Sequence, residues 1–108
     1  MSFRVTWTES ASADVEDIIR FIAGDSPLNA RKLYQRVRKR AATLRTFPNR
    51  GRCVPEVVDL QITTCRELEV PPYRIIYAIH RSAVLVHAVL DSRRDLRLVL
   101  SERLLRSK

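Results

Sequence analysis

Four side chains in the C-terminal half of this 108-residue chain have the chemistry to meet an anion: Arg74, His87, Arg93 and Arg94. A guanidinium offers a planar fork that pairs bidentately with phosphate or carboxylate, and an imidazole titrates near working pH and can carry a proton. Arg74 and His87 sit inside the apolar runs YRIIYAI and AVLVHAVL; Arg93 and Arg94 follow the second run, between Asp91 and Asp95. Those aspartates allow two readings of the arginine pair. Either they clasp it through local ion pairs, or they hold it ready for a partner. His87 is likewise either a strand histidine satisfied by a neighbour or a base.

A second cationic cluster lies earlier. Arg31, Lys32, Arg36, Arg38, Lys39, Arg40 and Arg45 crowd one segment, with no acidic residue between Pro27 and Phe47. Such a run is either a solvated helix face or a binding face, and like charges three and four residues apart repel mildly unless something acidic answers them. Over the whole chain 20 Lys and Arg oppose 12 Asp and Glu, a net charge of +8, and seventeen of the cations are arginine. The partner implied is polyanionic: nucleic acid, a nucleic-acid machine or an acidic protein segment.

Cys53 and Cys65 are separated by 11 residues, with no CxxC pair and no histidine at ligand spacing. They read as two reduced thiols, with no metal and no cofactor expected. No segment approaches the roughly 20 apolar residues of a membrane span, so the expected location is cytoplasmic, away from any membrane. Residues 1–108 read as a single domain with enough apolar sequence, 45%, for one core.

The elements that must position these side chains follow from periodicity. FRVTW alternates as a half-buried strand. From Thr8, a plausible N-cap, Ala11, Val15, Ile18, Ile19 and Ile22 recur at helical spacing up to Gly24. A second helix restarts at Ser26 with Pro27 at its first position, and Ala30, Leu33, Val37, Ala41 and Leu44 form its stripe before Pro48. A turn-rich connection follows, with Gly51 free to take positive φ. RELEV, YRIIYAI and AVLVHAVL then read as strands, Pro71 and Pro72 as a turn, and Leu96, Val99, Leu100 and Leu104 as a short C-terminal helix after Asp95.

Between the last two strands the absence of Gly and Asn favours a four-residue loop, His80 to Ala83. Strict alternation then puts Tyr73, Ile75, Tyr77 and Ile79 on one face with Val84, Val86, Ala88 and Leu90, to be covered by the helices. The other face carries Arg74, Ile76, Ala78 and His80 beside Leu85, His87 and Val89. It is still apolar and needs a cover, which is either a partner or the chain's own segments.

A strand, two helices, the turn PNRGR, then CREL, PPYRIIYAI and a last strand running into SRRDL resembles the RelE/ParE superfamily of type II toxins over nearly the whole chain, with PYRIIY nearest the ParE-like plasmid-stabilisation branch. The resemblance implies an α+β fold: an antiparallel sheet of about four strands packed against an N-terminal helical hairpin, in the order β-α-α-β-β-β with a short C-terminal helix. It implies a cytoplasmic toxin neutralised by a cognate antitoxin whose acidic and apolar tail suits the open sheet face and the second helix. ParE-like members inhibit DNA gyrase stoichiometrically; RelE-like members cut messenger RNA on the ribosome. Arg74 and Arg94 match the arginines that RelE-like enzymes place around the phosphate, with His87 as the available base. The tyrosine those enzymes carry near the C-terminus is replaced here by Leu100, and neither Tyr nor His follows His87. The expected protein is therefore a gyrase inhibitor rather than an enzyme, with the ribosome-dependent endoribonuclease as the alternative and a non-toxic nucleic-acid-binding module as a third reading. The residues expected to meet target or antitoxin are Arg74, Ile76, Leu85, His87, Val89, Arg93 and Arg94 on the sheet, and Arg36, Lys39 and Arg40 on the second helix.

Overall fold

The structure is a computed structural model that describes residues 2–58, 65–94, 96, 97, 99, 102 and 103. The chain runs β1 (Arg4–Trp7), α1 (Glu9–Ala23), α2 (Pro27–Ala42), a 3-10 turn (Thr43–Arg45), β2 (Arg52–Cys53), α3 (Pro55–Val58), β3 (Cys65–Val70), β4 (Tyr73–His80) and β5 (Ala83–Asp91). Both long helices start where their capping residues demand. The Thr8 hydroxyl accepts from the Ala11 N–H at 3.0 Å and the Ser26 hydroxyl from the Asn29 N–H at 3.2 Å, each satisfying an otherwise unpaired first-turn donor. Beyond β5, residues 96, 97, 99, 102 and 103 are helical, in keeping with the expected C-terminal helix. Asp95, Leu100 and Leu104 lie outside the described residues.

The fold is α+β, with the helical hairpin on one face of the sheet. Among the described residues that sheet has five strands in the order β1-β5-β4-β3-β2, and it is mixed rather than wholly antiparallel. β1 lies parallel to β5, pairing Arg4 with Ala83 through Trp7 with Val86. Two helices intervene before the chain re-enters the sheet, and they return it so that the first strand meets the last. Local pattern could not reveal that pairing.

The β4–β5 hairpin corrects two expectations. Its loop is the two-residue form, because His80 pairs directly with Ala83, and Arg81 supplies the positive φ, 57°, that such tight loops require even without Gly or Asn. More consequentially, the register shifts between Ile76 and Tyr77: Tyr77 faces Val86 but Ile76 faces Ala88, leaving His87 as the extra residue of a β-bulge. Past the bulge every β5 side chain changes face. Val89 therefore joins Ile75, Tyr77, Val84 and Val86 under the helices, while Ala88 and Leu90 move to the far side with Ile76.

On the helix side, Ala11 and Val15 of α1 and Leu33, Val37 and Ala41 of α2 pack with Leu44 on the sheet. Each large aliphatic buried there contributes about 1.5 to 3 kcal/mol. The far side is not open. Val54, Cys65, Ile76, Ala88, Leu90 and Leu96 form a second cluster, with Ala78 and Val99 packed against it, so the chain's own connection and C-terminal segment cover the face expected to await a partner.

Tyr77, fully buried, spans from the sheet to the turn after the helices. Its hydroxyl donates to the Pro48 carbonyl at 2.7 Å and accepts from the Gly51 N–H at 3.0 Å. Gly51 is needed there for close approach rather than for positive φ, which no glycine here adopts. A Cβ at position 51 would lie 2.5 Å from the Glu67 carbonyl oxygen and 2.6 Å from the Tyr77 hydroxyl.

Candidate functional site

Arg74 lies on β4, on the far side of the sheet, and is buried rather than presented. Its Nε donates to Glu67 at 3.0 Å, its Nη2 bonds the same carboxylate, and its Nη1 and Nη2 donate to Glu56 at 2.6 and 2.9 Å. Glu67, whose side chain is fully buried, also accepts from Arg52 Nε at 3.1 Å and Nη2 at 3.0 Å. The result is a chain of alternating charge, Arg52–Glu67–Arg74–Glu56, that ties β2, β3, β4 and α3 together. The hydrogen bonds from Arg74 hold the Glu56 carboxyl below its ordinary range, and those carboxylates, against the cost of burial, raise the Arg74 pKa. Every charge in this set is matched, and the fork of Arg74 is filled from both sides.

His87 owes its position to the bulge. It is 4% exposed, its Nδ1 has no hydrogen-bond partner among the described residues, and burial together with the nearby Arg103 cation lowers its pKa below the ordinary value. The β1 pairing ends opposite Val86, so the main-chain groups of β5 just beyond lack a strand neighbour on that edge among the described residues. Side chains replace it: the Val89 N–H donates to Asp14 of α1 at 2.9 Å, and the His87 carbonyl accepts from Arg103 at 3.2 Å. Asp14 and Arg103 in turn form a bidentate pair, one arm of it 2.8 Å. The bulge is thus held by residues from the N-terminal helix and the C-terminal segment.

Arg93 and Arg94 lie past the end of β5, both exposed. Asp91 takes Arg93 in a local clasp, 3.0 Å to Nε and 2.8 Å to Nη2, and its own pKa is held down to about 2 chiefly by those hydrogen bonds. The guanidinium of Arg94 has no ion-pair partner among the described residues. Both arginines border a cleft of about 360 Å³ between α1 and the strand ends, floored by Ile18, Phe21, Tyr73, Val89 and Leu90 and rimmed by Asp14 and Asp17. Phe21 is 80% exposed.

On α2, Arg38 stacks on Trp7 with its guanidinium carbon 4.9 Å from the ring centroid, a cation–π contact that accounts for one cation of the run. Arg36, Lys39 and Arg40 meet no carboxylate among the described residues.

The residues picked out from sequence therefore fall into separate groups. Arg74 and Ile76 are interior on the far side; Val89 is interior under the helices; His87 is buried in the bulge; Leu85 is half-buried opposite Ala78; Arg93 and Arg94 are exposed at the strand end; Arg36 and Lys39 are exposed, and Arg40 half-buried, on α2. Arg74 and His87 are buried, whereas Arg94 is exposed. The residues missed were the acids: Glu56, Glu67 and Asp14. Glu67 carried a signal, since a glutamate two residues from Cys65, on the same face of CRELEV, needs a cation across the strand pair once that face is covered. Glu56 and Asp14 carried none. No three His, Cys, Asp or Glu side chains cluster for a metal among the described residues, and the two cysteines are unbridged, Cys53 exposed and Cys65 buried.

Comparison with known proteins adds three findings. The family described as the ParE toxin of the type II toxin-antitoxin system parDE matches residues 5–96. A protein named Toxin RelE2 from Caulobacter vibrioides is 39% identical over 87 residues, 80% of this chain and 89% of that one. A solved structure titled as the chromosomal ParDE system of P. aeruginosa superposes with a TM-score of 0.67 at 19% identity, covering 83% of this chain and 96% of its own, a likeness of fold.

Proposed function

Since the chain belongs to the ParE toxin family of type II toxin-antitoxin systems, we propose that it acts as a stoichiometric inhibitor of DNA gyrase in the cytoplasm and is neutralised by a cognate antitoxin with an acidic and apolar tail. The observation that carries the reading is the state of Arg74. A catalytic guanidinium must be aimed at developing charge on a phosphate, whereas this one is enclosed by Glu67 and Glu56. His87, the other candidate for RNA chemistry, is buried, its Nδ1 unpartnered among the described residues. Among the described residues, the strand-end cleft with Arg94 and the exposed Phe21, and Arg36, Lys39 and Arg40 of α2, stay available to a macromolecule. No helix among the described residues is long and apolar enough to cross a membrane.

Cleavage of ribosome-bound message is the second reading, favoured by the RelE name of the 39% identical relative. One pair of assays separates the two: supercoiling by purified gyrase, and cutting of mRNA on ribosomes. The expected result is loss of supercoiling in proportion to added protein, with intact message. Replacing Arg93 and Arg94 by Gln should weaken inhibition roughly 10-fold or more, as for lost charged hydrogen bonds, and more protein should restore it. Cutting of message by the wild-type chain would replace the first reading with the second; neither effect would leave a nucleic-acid-binding module.

A further inference from the structure

We infer that the strand-end cleft between α1 and the end of β5 is a self-association surface, which takes up Phe21 from a second copy of this chain across a two-fold axis. The association is independent of any toxin target. Asp14, Asp17, Ile18 and Phe21 fall at spacings of three and four on α1 and line one wall of the cleft, which has a volume of about 360 Å³. Phe21 is 80% exposed, while Val89 and Leu90 of the floor are buried and Tyr73 is half-buried. An apolar knob and an apolar recess thus stand side by side on one patch, the arrangement that an isologous contact uses twice.

Charge selects a second copy over other occupants. The chain carries a net charge of +8 and its cations crowd α2, so two copies repel over much of their surface. At the cleft the balance is different, because Asp14, Asp17 and Asp91 line it against Arg93 and Arg94. Nucleic acid or an acidic segment would meet three carboxylates there and gain one unpaired cation. Like charges brought together oppose such docking.

The charges are also reciprocal. Asp14 and Asp91 are held bidentately by Arg103 and Arg93. Asp17 is held loosely: its contact with Arg20 is 3.4 Å long and both side chains are 75% exposed, where a pair contributes little. Arg94 meets no carboxylate among the described residues. Asp17 and Arg94 are therefore the charges left to exchange, an anion on the helix wall and a cation on the strand wall. A two-fold axis sets each opposite its complement in the other copy, and the two Phe21 rings then pack on one another and on the two floors. A contact of this extent belongs with small interfaces of under roughly 1,200 Å², so the dimer should dissociate in about the micromolar range.

Sedimentation velocity of the full-length protein across roughly 1 to 500 µM should show a shift from one chain, 12.5 kDa, to two as concentration rises. Phe21→Ser should weaken the dimer at least about tenfold with unchanged circular dichroism, because the ring is exposed in the monomer. Asp17→Arg and Arg94→Asp, each alone, set like charges opposite one another and should also leave the chain monomeric at least about tenfold further up the concentration range. An equimolar mixture of those two variants, and the double variant, should dimerise again. Amide shifts on dilution of the wild type should concentrate at Asp17, Phe21, Tyr73 and Arg94. The inference is overturned by a wild type that stays monomeric, by a dimer indifferent to Phe21→Ser, or by a mixture of charge variants that does not associate. It is equally overturned if a DNA duplex or an acidic peptide shifts these amides at concentrations where self-association does not. Neither gyrase nor ribosome is present, so failure here and failure of the inhibitor reading are separate results.

Discussion

Toward α1 and α2 the sheet turns Leu68, Val70, Ile75, Tyr77, Val84, Val86 and Val89, and among these only Tyr77 carries a polar side-chain atom. Toward α3 and the C-terminal segment it turns Glu67 and Arg74 among Cys65, Ile76, Ala88 and Leu90. The helix side is held by area, and its cost of mutation should scale with volume removed. The far side buries matched charge in a thin apolar layer, where stability depends on every partner being present. Resistance to substitution should therefore be graded on one side and close to all-or-none on the other.

The sharpest way to break that contrast is at Arg74. Arg74→Ala leaves the fully buried Glu67 with only Arg52, whose side chain is 62% exposed, and should cost about 3 to 5 kcal/mol in urea unfolding. Combining Arg74→Met with Glu67→Leu and Glu56→Gln should recover much of that loss, since no buried carboxylate is then left without its cation. A single Arg74→Ala change costing under about 1 kcal/mol would show that the ion-pair chain is not what holds this side.

Next comes the polar exception on the helix side. Tyr77→Phe keeps the ring but leaves the Pro48 carbonyl and the Gly51 N–H without their partner, an expected loss of about 1 to 3 kcal/mol. Gly51→Ala should match or exceed it, because the added Cβ meets backbone oxygen as well as the Tyr77 hydroxyl. If Tyr77→Phe is neutral in the same urea series, the turn is held by something other than that hydroxyl.

The smallest effect is a titration. With the folded pKa of His87 lowered by burial and by Arg103, the unfolded chain binds its proton first as pH falls. Stability is then full above the unfolded value near 6.5, and declines as pH drops toward the folded value, by at most about 1.4 kcal/mol per pH unit. Thermal melts between pH 7 and pH 5 should show that slope in the wild type and lose it in His87→Gln. An unchanged slope in the variant would assign it to other groups.

Much of this molecule was legible in one dimension. Thr8 and Ser26 marked the helix starts, and Ala30, Leu33, Val37 and Ala41 marked the buried stripe of α2, because capping and helical periodicity act between residues a few positions apart. The candidate site was far less legible. Arg74 was visible as a cation on the far side, but its partners lie 7 and 18 residues away on different elements, and only the nearer, Glu67, follows from the hairpin at Pro71 and Pro72.

By itself the sequence determined the order of the long elements but not the short β2 and α3, together with the turn at Pro71 and Pro72, the excess of positive charge and the motifs CREL, PYRIIY and RRD that mark the family, all of which reside in local pattern or composition. Only the tertiary structure decided that β1 lies beside β5, that the bulge at His87 reverses the faces of Ala88, Val89 and Leu90, and that Asp14 and Arg103 secure it from 75 residues before and 16 after their main-chain partners. The reason is physical: AVLVHAVL is apolar on both faces, so either register would bury it. What selects between them is the set of unpaired main-chain groups that distant side chains can satisfy.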